Sequence, residues 1–279
     1  MSESLRLLCV VAHPDDESLG MGGLLAKSAA EGVETFLVTA TLGERGRIGT
    51  ERPGAEIVAP VRERELRRAA EALGIRELFL LGYLDGELDR VDPVEAISKI
   101  ASVVRRVRPH VVVTFAAEGG YGHPDHIAIS QLAGGALVAA ADARFEPAPG
   151  IELPEEPHAA SKFYWMAWDE SVWTAYRHAF GELVSRVDGV ERKATPWPDW
   201  AVTTVVDTSA HRDTIWRAVG CHESQISGYA RLAELPPELR AGLWDRQPFY
   251  RVWSTVNGGR ELESDLFAGI RDPESASRA

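Results

Sequence analysis

Two short stretches of this sequence hold side chains that bind metals or move protons: Ala12-His13-Pro14-Asp15-Asp16-Glu17 and Gly119-Gly120-Tyr121-Gly122-His123-Pro124-Asp125-His126. Both contain a His-Pro-Asp triplet, and both stand between an apolar run and a helix-forming stretch. His13, His126 and one carboxylate would give a borderline-soft divalent ion three protein ligands and leave a fourth position for water, a catalytic rather than a structural arrangement. The same donors take Fe(II), so the ligand set alone does not name the reaction. Of two adjacent carboxylates, one is free to ligate while the other takes a proton from the attacking water. His123 would then protonate a departing nitrogen or stabilise an oxyanion, and Tyr121 would donate a hydrogen bond to a carbonyl oxygen as charge develops on it. Metal, base, acid and oxyanion donor together describe amide hydrolysis. The plain alternatives are that Asp15 or Asp16 only caps a helix and that one loop histidine is merely solvated. Two such clusters at equivalent positions weaken both.

For the clusters to meet, the chain must bring residues 13 and 126 together, and its patterning supplies the means. Strands are expected at Leu5–Val11, Glu34–Ala40, Leu78–Leu81 and His110–Phe115. Helices are expected at Leu19–Glu31, Ile57–Leu73, Pro93–Arg106 and Ile127–Ala141, the first two ended by Gly32 and Gly74. The βαβα order predicts an α/β fold, Rossmann-like, with a doubly wound and mostly parallel sheet. If the order reverses after the third strand, the first and fourth lie side by side, and ligands bind outside their carboxyl ends. Residues 1–142 then form the catalytic core. The Pro-rich, acidic run from Phe145 to Pro157 reads as an exposed loop or linker. Residues 143–271 are expected to complete the sheet and wall the site within the same domain, with strands at Lys162–Ala167, Ala201–Val206 and Phe249–Thr255 and a helix at Ala210–Ser224. Residues 272–279 read as a frayed tail.

Composition narrows the function. The chain has 279 residues, 45% of them hydrophobic, and a formal net charge of -12, which opposes general affinity for nucleic acid or anionic membranes. No apolar run approaches the ~20 residues of a membrane span, so a soluble, cytoplasmic protein is expected. Two cysteines, Cys9 and Cys221, are too few for a disulfide framework or a thiolate zinc site, which leaves histidines and carboxylates for any metal. The turn after the first strand lacks Gly-x-Gly-x-x-Gly, and its acidic groups would repel a dinucleotide pyrophosphate.

The motifs His13-Pro-Asp-Asp-Glu17 and Tyr121-Gly-His-Pro-Asp-His126 resemble those of the PIG-L/LmbE family of zinc-dependent N-acetylglucosaminyl deacetylases, and the second is similar to the family's mycothiol-pathway branch. The resemblance implies that His13, Asp16 and His126 bind Zn2+, with Fe2+ as an alternative, that Asp15 is the general base, that His123 is the acid or electrostatic partner and that Tyr121 polarises the amide carbonyl. Thr41–Gly46, Arg62-Glu-Arg-Glu-Leu66, Gly82–Gly86, His222-Glu-Ser-Gln225 and Glu261–Gly269 resemble further family elements. In that setting Arg62 reaches sugar hydroxyls, Glu65 braces the site and Asp85 accepts from a hydroxyl. The implied function is deacetylation of an N-acetylglucosaminyl small molecule such as GlcNAc-inositol, by attack of zinc-bound water. The rivals are an amidase of mycothiol-type thiol conjugates and a non-catalytic, metal-containing sugar-binding protein. No nucleic-acid or membrane partner is implied, and the chain acts alone or as a homo-oligomer. Gly43–Gly49 reads as a loop that either closes over substrate or stays on the surface. Trp173, Trp197 and Trp200 offer a stacking wall for a sugar, with core packing as the alternative.

Overall fold

The structure, a computed structural model, describes residues 4–187, 189–259 and 261–271. The expected tail, 272–279, lies outside them. Its centre is a seven-stranded sheet in the order β3-β2-β1-β4-β5-β9-β8. The strands are β1 (Arg6–Val11), β2 (Glu34–Thr41), β3 (Glu77–Tyr83), β4 (Val111–Phe115), β5 (Lys162–Met166), β8 (Thr204–Asp207) and β9 (Arg246–Ser254). The first five are parallel; β9 runs antiparallel to β5 and to β8. Leu7 to Val11 are all fully buried, with no alternation, as a strand covered on both faces must be.

Helices α1 (Asp16–Ala30), α2 (Ala55–Leu73), α3 (Pro93–Val107) and α5 (Pro124–Ala141) make the crossovers, with the single turn α4 (Gly119–Gly122) before α5. Gly74, at φ 74°, closes α2 in the left-handed conformation that glycine adopts without a Cβ clash. The order reverses at β1 and β4, whose register pairs Leu7 with Val111 and Cys9 with Val113. That adjacency sets the His13 and His126 turns side by side at the carboxyl end of the sheet.

The later half departs from expectation in three places. The Phe145–Pro157 run has no helix or strand, yet it is no free linker. Buried Arg105 donates to the carbonyls of Ala140, Asp142 and Pro154, and Ser102 Oγ to that of Glu152, which straps the run onto α3. The expected helix over Ala210–Ser224 is α7 (Arg212–Cys221), flanked by 3-10 turns at Ser209–His211 and Glu223–Gln225. Between β5 and β8 the chain forms α6 (Glu170–Phe180), capped by the Asp169 carboxylate, and the hairpin β6 (Val184–Val187) and β7 (Val190–Lys193). Helices α8 (Ile226–Ala233) and α9 (Pro237–Trp244) precede β9. Gly23 of α1 sits so close to Thr208 that a Cβ there would lie 2.6 Å from the threonine Cβ, so the C-terminal half packs directly on the helix that follows His13–Asp16. Among the described residues, no helix is long and apolar enough to cross a membrane.

Candidate active site

Past β1 the backbone turns sharply. Asp15 takes the N-cap position of α1 at φ 99°, a left-handed conformation that costs a non-glycine residue about 1–3 kcal/mol. Its side chain makes no cap hydrogen bond. What holds the turn is Glu17, fully buried, whose Oε2 accepts from the Asp15 backbone N–H at 2.8 Å and whose Oε1 meets His222 Nε2 at 2.7 Å. Burial opposes ionisation of Glu17, but the charge of His222 outweighs it and holds the carboxyl below its ordinary value; His222 is raised in return. Past β4, Gly119, Gly120 and Gly122 all have positive φ, and a Cβ on Gly119 would collide with Ile127. This glycine turn lets the chain double back so that His123 and His126 face β1.

Three side chains converge there. His13 Nδ1 lies 3.2 Å from His126 Nε2, Asp16 Oδ1 lies 3.4 Å from His126 Nε2, and Asp16 Oδ2 lies 3.7 Å from His13 Nδ1. Three donors on one tetrahedral ion with bonds of about 2.0–2.1 Å are about 3.3 Å apart. Two imidazole nitrogens facing each other at 3.2 Å repel unless a proton or a cation lies between them, so the donor set fits a metal. The opposite ring atoms are fixed. His13 Nε2 is 3.0 Å from Asp125 Oδ2 and 3.1 Å from Asp85 Oδ1, His126 Nδ1 is 3.2 Å from the Gly119 carbonyl, and the Phe115 ring stacks on His126 at 3.9 Å. Carboxylate and carbonyl partners of this kind set the tautomer and orientation of metal-binding imidazoles. His123 also falls within the histidine cluster, but its Nδ1 accepts the Asp125 N–H at 3.2 Å as the cap of α5, which leaves Nε2–H as its donor.

Electrostatics follow from this crowding. Burial works against a charged His13 ring, but the hydrogen bonds to Asp125 and Asp85 overcome it and raise its pKa to about 10. Burial lifts the Asp16 carboxyl to about 7. Asp85, opposed by burial but bonded to His13, falls to about 2. Burial and then the His13 charge lower His123 to about 4, so at neutral pH it is an uncharged ring. Burial, with Asp16 and Asp15 adding to it, raises Tyr121, which stays a protonated phenol.

Beside this cluster, Arg62 on α2 is 5% exposed and spends its guanidinium on the protein, donating to Asp15 Oδ2 at 2.8 Å and to the carbonyls of Pro14 and Gly43. Glu65 accepts from the backbone and hydroxyl of Ser224 at 2.7 and 2.6 Å, bracing the His222–Gln225 element. The Gly43–Gly49 loop is tied to that element through Gly49 N to the Ser224 carbonyl and Gln225 Nε2 to the Arg47 carbonyl. The eight residues expected to bind the metal, act in catalysis or contact the sugar hydroxyls, His13, Asp15, Asp16, Arg62, Asp85, Tyr121, His123 and His126, line one cavity of about 440 Å3.

The far wall of that cavity is aromatic, but the three expected tryptophans do not form it. Trp173 is buried, Trp200 is 88% exposed, and Trp197 bonds Glu118 and packs on Tyr250. The rings that line it are Trp168, Tyr176 and Phe180, running outward from Tyr121 with centroid spacings of 6.1, 4.8 and 6.0 Å. Asp125 and Tyr229 also escaped the sequence reading. Asp125 lies inside the second motif between two candidate residues, which is the signal the sequence holds, and its total burial belongs to the tertiary structure.

Fold and site together define an α/β protein with a His/Asp centre of the metal-hydrolase type at the switch point of its sheet. The chain belongs to the GlcNAc-PI de-N-acetylase (PIG-L) family, whose sequence pattern matches residues 8–137, the stretch that holds both motifs. Over nearly its whole length it is similar to the 1D-myo-inositol 2-acetamido-2-deoxy-alpha-D-glucopyranoside deacetylase of Geodermatophilus obscurus, at 34% identity with 97% of this chain and 99% of that one covered. It is also similar to the crystal structure of the conserved protein TT1542 from Thermus thermophilus, with TM-score 0.63, 28% identity, and 91% and 97% of the two chains covered. The 4-carboxy-2-hydroxymuconate hydratase GalB of Pseudomonas putida shares the fold, with TM-score 0.66 at 20% identity over 91% of this chain and 99% of that one. A hydratase on the same frame means that the fold alone does not name the reaction.

Proposed function

We propose that this chain is a zinc-dependent N-deacetylase of an N-acetylglucosaminyl small molecule, GlcNAc-inositol being the first substrate to try. The observation that carries the reading is the convergence of His13 Nδ1, Asp16 and His126 Nε2, with a second, unligating carboxylate, Asp15, lining the same cavity. These three residues would hold the ion, and the outer bonds from Asp125 and Gly119 would orient them. A bound zinc ion supplies Lewis acidity, polarising an amide carbonyl and acidifying a water.

The remaining work belongs to the side chains. Asp15, off the ligand set and anchored by Arg62, accepts the proton of the attacking water. Tyr121, a neutral phenol, donates to the carbonyl oxygen as it becomes an oxyanion. His123 is neutral at rest and lines the cavity, and with its Nδ1 taken by the Asp125 N–H its Nε2–H is left to hydrogen-bond the collapsing intermediate, while the departing nitrogen takes the proton that Asp15 accepted from the water. Asp85 divides its carboxylate between His13 and the Arg45 N–H, and it lines the cavity where a sugar hydroxyl would approach.

The ring series Trp168, Tyr176 and Phe180 favours a second reading, an amidase of thiol conjugates that carry an apolar group. A panel of GlcNAc-inositol, N-acetylglucosamine and a mycothiol thiol conjugate, assayed for acetate and free amine with the metal content measured alongside, separates the two. Acetate from GlcNAc-inositol is the expected result. A metal-loaded protein that releases no amine from any of the three defeats the deacetylase and the amidase together.

The raised His13 pKa gives a further expectation. The ion has to displace the proton that His13 holds up to about pH 10, so apparent zinc affinity should rise about tenfold per pH unit between pH 7 and 9. It should rise more steeply below about pH 7, where Asp16 is also protonated. A competition titration against a chelator of known affinity measures this, and a flat profile from pH 7 to 9 contradicts it.

A further inference from the structure

Asp15 is held by one carboxylate oxygen only. Oδ2 accepts from Arg62 Nη2 at 2.8 Å and from the Tyr229 hydroxyl, and among the described residues no hydrogen bond reaches Oδ1. The two donors come from separate elements, Arg62 from α2 and Tyr229 from α8. The outer torsion of an aspartate is broad and two-fold, and a single hydrogen bond tolerates a spread of angles, so one donor leaves the carboxylate plane room to swing. A second donor from a separate element removes that swing.

The α8 helix is well placed to serve as the second anchor. Leu232 anchors it in the apolar cluster that also holds Val172, Ala175 and Tyr176 of α6, and its entrance is tied down by Gln225 Nε2 to the Arg47 carbonyl and Ser227 Oγ to the Gly49 carbonyl. Its remaining residues are largely exposed, so Tyr229 is its one polar side chain lining the cavity. We propose that Tyr229 is a positioning residue which, together with Arg62, fixes the Asp15 carboxylate with Oδ1 presented to the reacting water. The inference rests on the reading of Asp15 as the base.

Tyr229→Phe removes the hydroxyl and keeps the ring. With zinc content unchanged, kcat should fall about tenfold, the order of effect expected on losing one hydrogen bond to a charged group, while KM stays within about twofold. In an Asp15→Asn background, measured in single turnover with protein in excess, the same change should alter the rate by less than about twofold, because no base is left to orient. Three results overturn the inference: a parental kcat in Tyr229→Phe while Asp15→Asn is impaired, a raised KM at constant kcat, which marks a substrate contact instead, or an equal tenfold loss in both backgrounds. Should Asp15→Asn itself run at the parental rate, the base reading falls and this inference falls with it.

Discussion

Asp15→Asn should keep its metal and lose amide hydrolysis by roughly two to four orders of magnitude, the usual contribution of a general base. The substitution is nearly isosteric, and asparagine tolerates the left-handed backbone at φ 99° as readily as aspartate, so the turn should not relax. Its carbonyl oxygen can still accept from Arg62, and none of the three converging metal donors belongs to it. What disappears is the lone pair that takes the proton. Elemental analysis of the purified variant beside an acetate-release assay reads both halves. Zinc retained with hydrolysis at the parental rate would show that another group is the base. The same pair of measurements separates an enzyme from a non-catalytic sugar-binding protein, which has no rate to lose.

His126→Ala should do more damage, because it removes one of three donors instead of the proton acceptor. Loss of an outer partner to a metal ligand costs roughly 10–100-fold in affinity, and loss of the ligand itself should exceed that. The variant should therefore fail to hold zinc against a chelator that the parent resists, and its hydrolysis should fall at least as far as that of Asp15→Asn. Treating the parental protein with a strong chelator should reproduce the loss, with activity returning on addition of zinc. Because an ion that binds only the folded chain stabilises it, the chelated parent should also unfold at a lower temperature than the loaded one, and the His126→Ala variant should show no such difference. One equivalent of zinc bound to His126→Ala at parental affinity would remove His126 from the ligand set. His123 would then be the next candidate, since it stands in the same histidine cluster.

Much of the architecture was legible because it is written in short-range terms. Apolar runs of strand length, glycines at helix ends and prolines at helix starts are local signals, and the observed helices fall within a few residues of where those signals put them: α2 ends at Gly74 and α3 opens at Pro93. Helix α6 was equally readable in principle. Asp169 caps it, and Val172, Trp173, Tyr176 and Ala179 follow at helical spacing. The hairpin β6–β7 gave less to read, four-residue strands being too short for a pattern to stand out.

The sequence by itself determined the chemistry on offer: two imidazoles and paired carboxylates in turns that follow β1 and β4, on a frame whose strand order sets those turns together. Only the tertiary structure decided how each group is used. His13 meets Asp125 across 112 residues, Glu17 meets His222 across 205, and Tyr229 reaches Asp15 across 214. The structure gave Asp15 to Arg62 and Tyr229 instead of to its own helix, and put Trp168, Tyr176 and Phe180 on the cavity wall in place of Trp173, Trp197 and Trp200. The reason is that a residue's type and its neighbours fix what it can bond, while the direction in which its atoms point is set by packing between elements far apart in the chain.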